Sequence, residues 1–467
     1  MKKVLITLLV LIPITASLQN TVSSQSFTET AARLDSFYTE LYKYREFNGN
    51  VLVAEKGKII YQKSFGIANR SPNTSLNDHS VFNLASVTKQ FTAAAIVLLQ
   101  KEGKLSFSDN VSKYIPELSF YDGITIHHLV HHTSGLPDYT ILFNDNWDSS
   151  KIVTNTDVIK RFADIKPAVK FSANEKFEYS NTGYLLLGSV IERVSGHSLN
   201  DYLQKHIFQP LKMNNTNILF VYKDKTVVPA LAKAYTEMPD GSFSDFSKYG
   251  YKFDGVFGQG RLYSTTPDLL KWSEALSNHT LFTEKEKAVI FTSSLLNSGQ
   301  PSKYGAGWFI DSSSTYGKRV YHSGSWPGYM TYIERFPDTD RTIIILQNDG
   351  MGTSSWRIPD SDTRKILFRQ PMEKDLRVSE GLLQQCSGTY ISDNNEASTI
   401  TVKNYRLYVT TGGKELGLYP LTETKFVASG IRPQLTYTFL LNGDGSVAGY
   451  RIEQPEKGVD QFIKRKK

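Results

Sequence analysis

Hydrophobic and polar positions divide the chain into successive regimes. Near the start, "NVLVAEKGKIIYQKSFGIAN" places the β-rich runs Val51–Val53 and Ile59–Tyr61 around Glu55-Lys56-Gly57-Lys58, which predicts a hairpin. Helical signals then dominate to about residue 295. In "FNLASVTKQFTAAAIVLLQKEGK" the run Phe91 to Leu99 is almost wholly apolar, a helix made for burial. Ser198 with Asp201 resembles a capping box before "LNDYLQKHIF", which Pro210 ends, and Thr266-Pro267-Asp268 caps "DLLKWSEAL". From Tyr304 to Asp349 the pattern turns to strands: "YGAGWFI", "KRVYHSG", "MTYIERF" and "RTIIILQND". Opening strands, a helical middle and closing strands predict an α+β fold, an antiparallel β-sheet flanked by helices.

Residues 351–375 read as a linker, with Gly, Ser and Pro near its start. From Leu382 onward short strands alternate with regular turns, most clearly from Thr399 to Val409. That spacing predicts a small antiparallel β-barrel or sandwich of its own within 376–467. No internal repeat or low-complexity tract interrupts this plan.

Composition adds less. The 467 residues, 40% hydrophobic and 21% charged, suit a globular protein of more than one domain. The net charge of +7 comes partly from Lys2 and Lys3 and from the tail Lys464, Arg465, Lys466 and Lys467. No basic stripe interleaved with aromatics appears elsewhere, so nucleic acid is excluded as a partner. The first residues matter more. Lys2 and Lys3 precede an apolar run from Val4 to Ile14, followed by small and polar residues. This is the layout of a secretory signal, taken as residues 1–25, with cleavage near Ser17 or between Ser24 and Ser26. The run is too short to span a bilayer well, and no later segment does better. The expectation is an exported protein, periplasmic or secreted, without a stable transmembrane span. The one cysteine, Cys386, leaves the mature chain without disulfides and reads as a small buried hydrophobe.

Three short motifs carry candidate chemistry. Ser86-Val87-Thr88-Lys89 is the one Ser-x-x-Lys, and residues three apart share a helical face. The hydroxyl and amine can therefore touch, as a nucleophile beside its activating group. The plain alternative is an N-cap serine and a lysine that snorkels to solvent. Tyr179-Ser180-Asn181 precedes another apolar helix, and His322-Ser323-Gly324 ends a predicted strand.

In this order the three motifs resemble those of the class C β-lactamase, penicillin-binding protein and esterase family of serine hydrolases. Separate blocks agree: "HLVHHTSGLPDY", "YSNTGYLLLGSVIERVSG", "IFQPLKMNNT" and "GQGRLYSTTPDLLKW". The resemblance covers roughly residues 30 to 350, so 26–350 is taken as the hydrolase domain. It implies that Ser86 attacks an amide, lactam or ester carbonyl and forms an acyl-enzyme, with no cofactor and no metal. Lys89 and Tyr179 are both candidates for the base, and either needs a lowered pKa to act near neutral pH. Asn181 is expected to hold Lys89 and a substrate carbonyl. The backbone amides of Ser86 and Ser325 are the expected oxyanion donors. Gly324 is expected to let a ligand approach the strand edge, and such an edge accepts a short peptide as an added strand.

Two departures from the family pattern stand out. His322 replaces the lysine usual in penicillin-hydrolysing members. A mostly neutral imidazole there weakens recognition of a carboxylate and resembles D-amino-acid peptidases, amidases and esterases. Ala173-Asn174 replaces Pro-Gly before Phe177, and asparagine tolerates the left-handed backbone such a turn needs. Trp326 and Tyr329 suit either the substrate pocket or the core. The paired histidines His127/His131 and His128/His132 suggest a metal, but no carboxylate accompanies them at metalloprotease spacing. The competing functional reading is a penicillin-binding protein or sensor that acylates and turns over slowly. The C-terminal domain resembles lipocalin-like appendages, with a structural or substrate-limiting role. Natural substrate and oligomeric state stay open.

Overall fold

The computed structural model describes the backbone of residues 15–466, apart from 144–146, 239, 351–357, 373–377, 429–430 and 432. The apolar run Val4–Ile14 lies outside the described residues. Helix α1 (Thr15–Lys43) leads into the hairpin of β1 (Gly49–Glu55) and β2 (Lys58–Phe65). Lys56 and Gly57 both take positive φ, +50° and +72°, the two-residue turn that matches strand twist.

Small pieces follow: β3 (Ile67–Arg70) with β4 (Asn73–Ser75), then β5 (Phe82–Asn83). Helices α2 (Thr88–Lys101), α3 (Ile126–Val130), α4 (Asn155–Ile165), α5 (Asn181–Ser195) and α6 (Leu199–Leu203) form the helical middle. Next come β6 (Asn217–Ile218), the hairpin of β7 (Tyr235–Glu237) and β8 (Phe243–Asp245), β9 (Leu262–Ser264), α7 (Thr266–Ser277) and α8 (Glu284–Ile290). Four long strands close the domain: β10 (Phe309–Ser313), β11 (Gly317–Trp326), β12 (Gly328–Phe336) and β13 (Arg341–Gly350). The main sheet is antiparallel, in the order β10-β11-β12-β13-β1-β2. "YGAGWFI" becomes strand only from Phe309, and Thr265, one residue earlier than expected, caps α7 by accepting from the Asp268 N–H.

Why the central strands are continuously apolar follows from the layers. Leu52 and Ala54 of β1, with Ile344 and Leu346 of β13, face a core that includes α2, α5 and α7. Val51, Val53, Ile343 and Ile345 point the other way, onto α1 and α9 (Asp360–Leu367). Strands buried on both faces lose the alternation that marks half-exposed ones. The segment expected to be a linker thus contains a packed helix. Ile366 and Leu367 enter the core beside Leu34 and Tyr38, and Arg364 meets the buried Glu334 at 3.0 Å.

Helix α10 (Glu380–Cys386) then enters eight antiparallel strands, β14 (Gly388–Ile391) to β21 (Val459–Arg465), which close into a barrel. The barrel is full. Tyr390, Phe426, Phe439 and Tyr450 pack inside it with Leu383 and Cys386 of α10. Among the described residues no helix is long and apolar enough to cross a membrane.

The end of β13 lies close to the barrel's junction with the hydrolase domain. There Asp349 is buried, and its Oδ1 lacks a hydrogen-bond partner among the described residues. Burial pushes its carboxyl up to about 7, opposed by Arg70 and Arg406 and reinforced by Glu237. An unfolded chain releases this proton near pH 4. Between those values the folded state holds the proton and the unfolded state does not, so stability falls as pH rises across the window. Asp349→Asn is expected to flatten that slope and to raise the unfolding midpoint above pH 7, as measured by urea titration at pH 5 and pH 8.

Candidate active site

Ser86 stands in a short 3-10 turn, Ala85–Val87, that runs directly into α2. Ala85 is held at φ +49°, and its N–H donates to Asn83 Oδ1 at 2.9 Å. The left-handed region costs an alanine about 1–2 kcal/mol and persists only where the surroundings impose it. Strand β11 supplies that constraint. A Cβ at Gly324 would run into Leu84 O, Thr331 Oγ1 and Ala85 Cβ. Gly324 therefore admits the nucleophile turn rather than a ligand, a correction to the sequence-based expectation. The helix end leaves Ser86 free: Val87 occupies the N-cap position of α2, with no side-chain capping bond.

Lys89 is 0% exposed. Its Nζ lies 3.1 Å from Ser86 Oγ, 2.9 Å from Asn181 Oδ1 and 2.9 Å from Gln259 O. All three partners are neutral. Burial holds the amine well below its ordinary pKa, opposed by Asp138. A neutral amine has two N–H donors and one lone pair. Asn181 and Gln259 can only accept, so they take the donors and leave the lone pair toward the Ser86 hydroxyl.

The Ser180 side chain caps α5 by accepting from the Gly183 N–H, which puts Tyr179 just outside the helix and Asn181 at its first position. His132 Nδ1 accepts from the Ser180 N–H at 3.0 Å, and its ring lies tilted against Tyr179, centroids 4.4 Å apart. Tyr179 is 37% exposed as a residue, and its hydroxyl interacts with Ser86. Burial raises this phenol's pKa, against a smaller lowering by Ser86. The two candidate bases are thus driven apart, the amine toward its free base and the phenol toward its protonated form.

His322 is placed differently from expectation. It is 1% exposed, with Nδ1 2.6 Å from Ser323 O and Nε2 3.0 Å from Tyr304 Oη. A carbonyl only accepts, so Nδ1 carries the proton and Nε2 accepts from the tyrosine hydroxyl. Burial, with Lys89 nearby, lowers its pKa to about 3. It is neutral, as expected, but it is buried among Tyr179, Tyr304 and Phe309, and with both ring nitrogens committed it offers neither to a substrate.

Strand β10 pairs with Gly317–Tyr321 of β11, and the register stops there. The β11 edge beyond it turns Ser325 and Trp326 into a cleft of about 100 Å³ shared with Ser86, Asn181 and Tyr139. Gln259 and Arg261 also line it. Arg261 meets Asp254 at 3.1 Å and stacks over the Trp326 ring at 4.3 Å. Sequence reading singled out neither residue; "GQGRLYST" was legible as a family block without individual roles. Tyr329 goes to the core, its hydroxyl donating to Ala232 O at 2.7 Å. Asn174 adopts φ +62°, as its turn required. The histidines have structural partners: His131 Nδ1 lies 3.0 Å from Tyr304 O, and His128 completes the Thr125 capping box.

The family model described as Beta-lactamase matches residues 34–360. The chain belongs to this family. It is 34% identical over 439 residues to penicillin-binding protein 4* of Bacillus subtilis, covering 88% of this chain and 96% of that protein. The octameric penicillin-binding protein homologue from Pyrococcus abyssi superposes with a TM-score of 0.64 at 26% identity, over 93% of this chain and 99% of that one. The D-amino acid amidase from Ochrobactrum anthropi SV3 shares the fold, with a TM-score of 0.58 at 22% identity over 74% of this chain and 97% of that one. The chain is accordingly a serine hydrolase of the β-lactamase and penicillin-binding protein type.

The tight seat under Ser86 is testable. Gly324→Ala is expected to cost about 1–3 kcal/mol of stability by overpacking and to slow acylation of Ser86. Urea unfolding and the rate of covalent labelling measure the two effects separately.

Proposed function

We propose that this protein is an exported hydrolase that opens amide, lactam or ester bonds through an acyl-enzyme on Ser86, with Lys89 as general base and Tyr179 as proton donor. The observation that carries the reading is the buried Lys89 amine, bonded only to neutral groups and 3.1 Å from Ser86 Oγ. As Ser86 Oγ bonds to the carbonyl carbon, its proton passes to the Lys89 lone pair. The oxygen of the tetrahedral intermediate takes up the negative charge, and the Ser86 and Ser325 amides are its donors. Collapse breaks the bond to the leaving group, which takes a proton from Tyr179. The Lys89 ammonium neutralises the tyrosinate and is a free amine again. Water then attacks the ester by the reverse route and releases the acid and Ser86.

The free β11 edge suits an extended short peptide. A buried, neutral His322 supplies no charge for a carboxylate, which favours amides and esters over substrates that depend on one. Lys2, Lys3 and the run Val4–Ile14 support export. The slow-turnover reading, a penicillin-binding protein or sensor, shares every residue named here and differs in the fate of the acyl-enzyme.

The deciding experiment mixes the protein with a penicillin, a D-amino-acid amide and a short ester, and follows intact mass and product. Product without a lasting adduct is expected for the amide and the ester. A lasting adduct on every substrate would establish the slow-turnover reading instead. Ser86→Ala is expected to abolish both adduct and product, and substantial residual turnover in it overturns the assignment.

Tyr179→Phe is expected to lower kcat by roughly 10²–10⁴-fold, the usual contribution of a positioned acid. The pH profile follows from the two directions of shift. Activity needs the amine unprotonated and the phenol protonated, so kcat/KM rises with pH through the depressed Lys89 pKa and then stays level into the alkaline range. An activating limb near the ordinary lysine pKa of about 10.4 would sink the assignment of Lys89 as base.

A further inference from the structure

We infer that Arg406, on β16 (Arg406–Thr411) of the barrel, is a positioning residue that sets substrate specificity: it locks the β7–β8 hairpin and thereby fixes the Trp326–Arg261 wall of the cleft. This rests on the hydrolase reading above.

The barrel interior is filled by its own side chains, which leaves its outer surface to work with. That surface reaches into the hydrolase domain at a buried ion pair. Arg406 Nη1 donates to Glu237 Oε2 at 2.9 Å, and both side chains are 4% exposed. Arg406 Nη2 donates to Tyr44 O at 2.9 Å and to Arg45 O at 3.2 Å. Glu237 closes β7, and its second oxygen lies 3.3 Å from Arg45 Nη1. Around the turn, a Cβ at Gly241 would sit 2.6 Å from Tyr408 Oη, so the barrel also presses on the hairpin tip. Phe243 of β8 lies under the Arg70 guanidinium at 3.4 Å.

The hairpin continues into the 3-10 segment Ser247–Phe253. There Gly250 packs against the indole of Trp326, where a Cβ would approach Nε1 to 2.6 Å. The Phe253 carbonyl accepts from Arg261 Nη2 at 2.8 Å, and its ring meets Tyr139 at 5.4 Å. Trp326, Arg261 and Tyr139 line the same cleft as Ser86. One continuous segment therefore joins the barrel's arginine to the cleft wall, and none of its links touches Lys89 or Tyr179.

The test compares wild type, Arg406→Ala, Arg406→Lys and Glu237→Gln on two Ser86-directed probes. One is a small alkyl fluorophosphonate, which releases fluoride as the Ser86 Oγ–P bond forms. The other is the same fluorophosphonate carrying a bulky fluorescent group in place of the small alkyl. Arg406→Ala and Glu237→Gln are expected to raise the half-saturating concentration of the bulky probe roughly tenfold. The maximal rate and the labelling by the small probe are expected to stay within about twofold of wild type. Arg406→Lys is expected to recover part of the loss. Hydrogen exchange, followed by mass spectrometry, is expected to quicken over residues 241–253 and not within the barrel core. Equal losses on both probes, or unchanged exchange over 241–253 in folded variants, overturn the inference. If wild type is labelled by neither probe, the hydrolase reading fails, and the exchange measurement still decides the role of Arg406.

Discussion

An amine held out of water among neutral groups is the constraint on which this structure turns. An ammonium in such a place loses hydration that its neutral partners do not return and that Asp138 offsets only in part, so its pKa is held well below the ordinary value. Keeping the amine dry requires the helix beneath it to be buried on every side. From Thr88 to Leu99 every residue of α2 is buried. It also requires backbone to come close from several directions. Thr92 Oγ1 donates to Gly258 O at 2.7 Å, which seats the carbonyl of Gln259 over Nζ. Gly307 crosses over the Lys89 carbonyl, and its φ of +83° and lack of a Cβ both serve that crossing. The reactive pair and the core are thus the same construction.

A second feature of the site is its electrostatic restraint. His322 and His132 are both held neutral by burial, each with one ring nitrogen committed to the backbone. The cation nearest the cleft, Arg261, is matched by Asp254 at 3.1 Å. What faces a substrate is therefore mostly dipoles: the amide of Asn181, the backbone of β11 and the phenol of Tyr179. Fixed dipoles stabilise charge that develops in a reaction without attracting a charged ground state as strongly. At position 322 a buried imidazole with both ring nitrogens engaged adds no charge to the site. Fold and catalytic residues set the reaction, and the strand edge sets what reaches it.

The two domains meet at a charged cluster, while each packs an apolar core of its own. Arg406, Glu237, Arg45 and Arg70 gather with Asp349, and of these Arg406, Glu237 and Asp349 are buried. Buried ion pairs of this type add little net stability, because desolvation offsets their attraction. Their geometric demand is high, since removing one partner leaves the other uncompensated. A contact with those properties fixes orientation more than it stabilises, which suits a junction that has to hold a cleft wall in register.

Much of this was legible along the chain. Ser86 and Lys89 are one helical turn apart, and the apolar helix after them announces a buried site. β-rich runs bounded by turn residues marked the hairpin and the closing strands, and period-two alternation marked the barrel, because a strand's composition and its inward and outward positions are local properties. Other features were decided only when distant segments met. Lys89 finds its acceptors 92 and 170 residues away. His322 looked like a cleft residue from its motif, but Tyr304 and the enclosing sheet turned it inward. Gly324 looked like room for a ligand and proved to be room for the turn that carries Ser86. The segment 351–375 read as a linker from its polar start, yet Asp360–Leu367 found an apolar face of the sheet to cover. Gln259 works through its carbonyl, which every residue possesses and no side-chain pattern reveals. A sequence records which positions are apolar and which groups are one turn apart. Which proton an amine keeps, and which face of a strand a substrate meets, depend on what fills the space around them, and that space is closed by residues far apart in the chain.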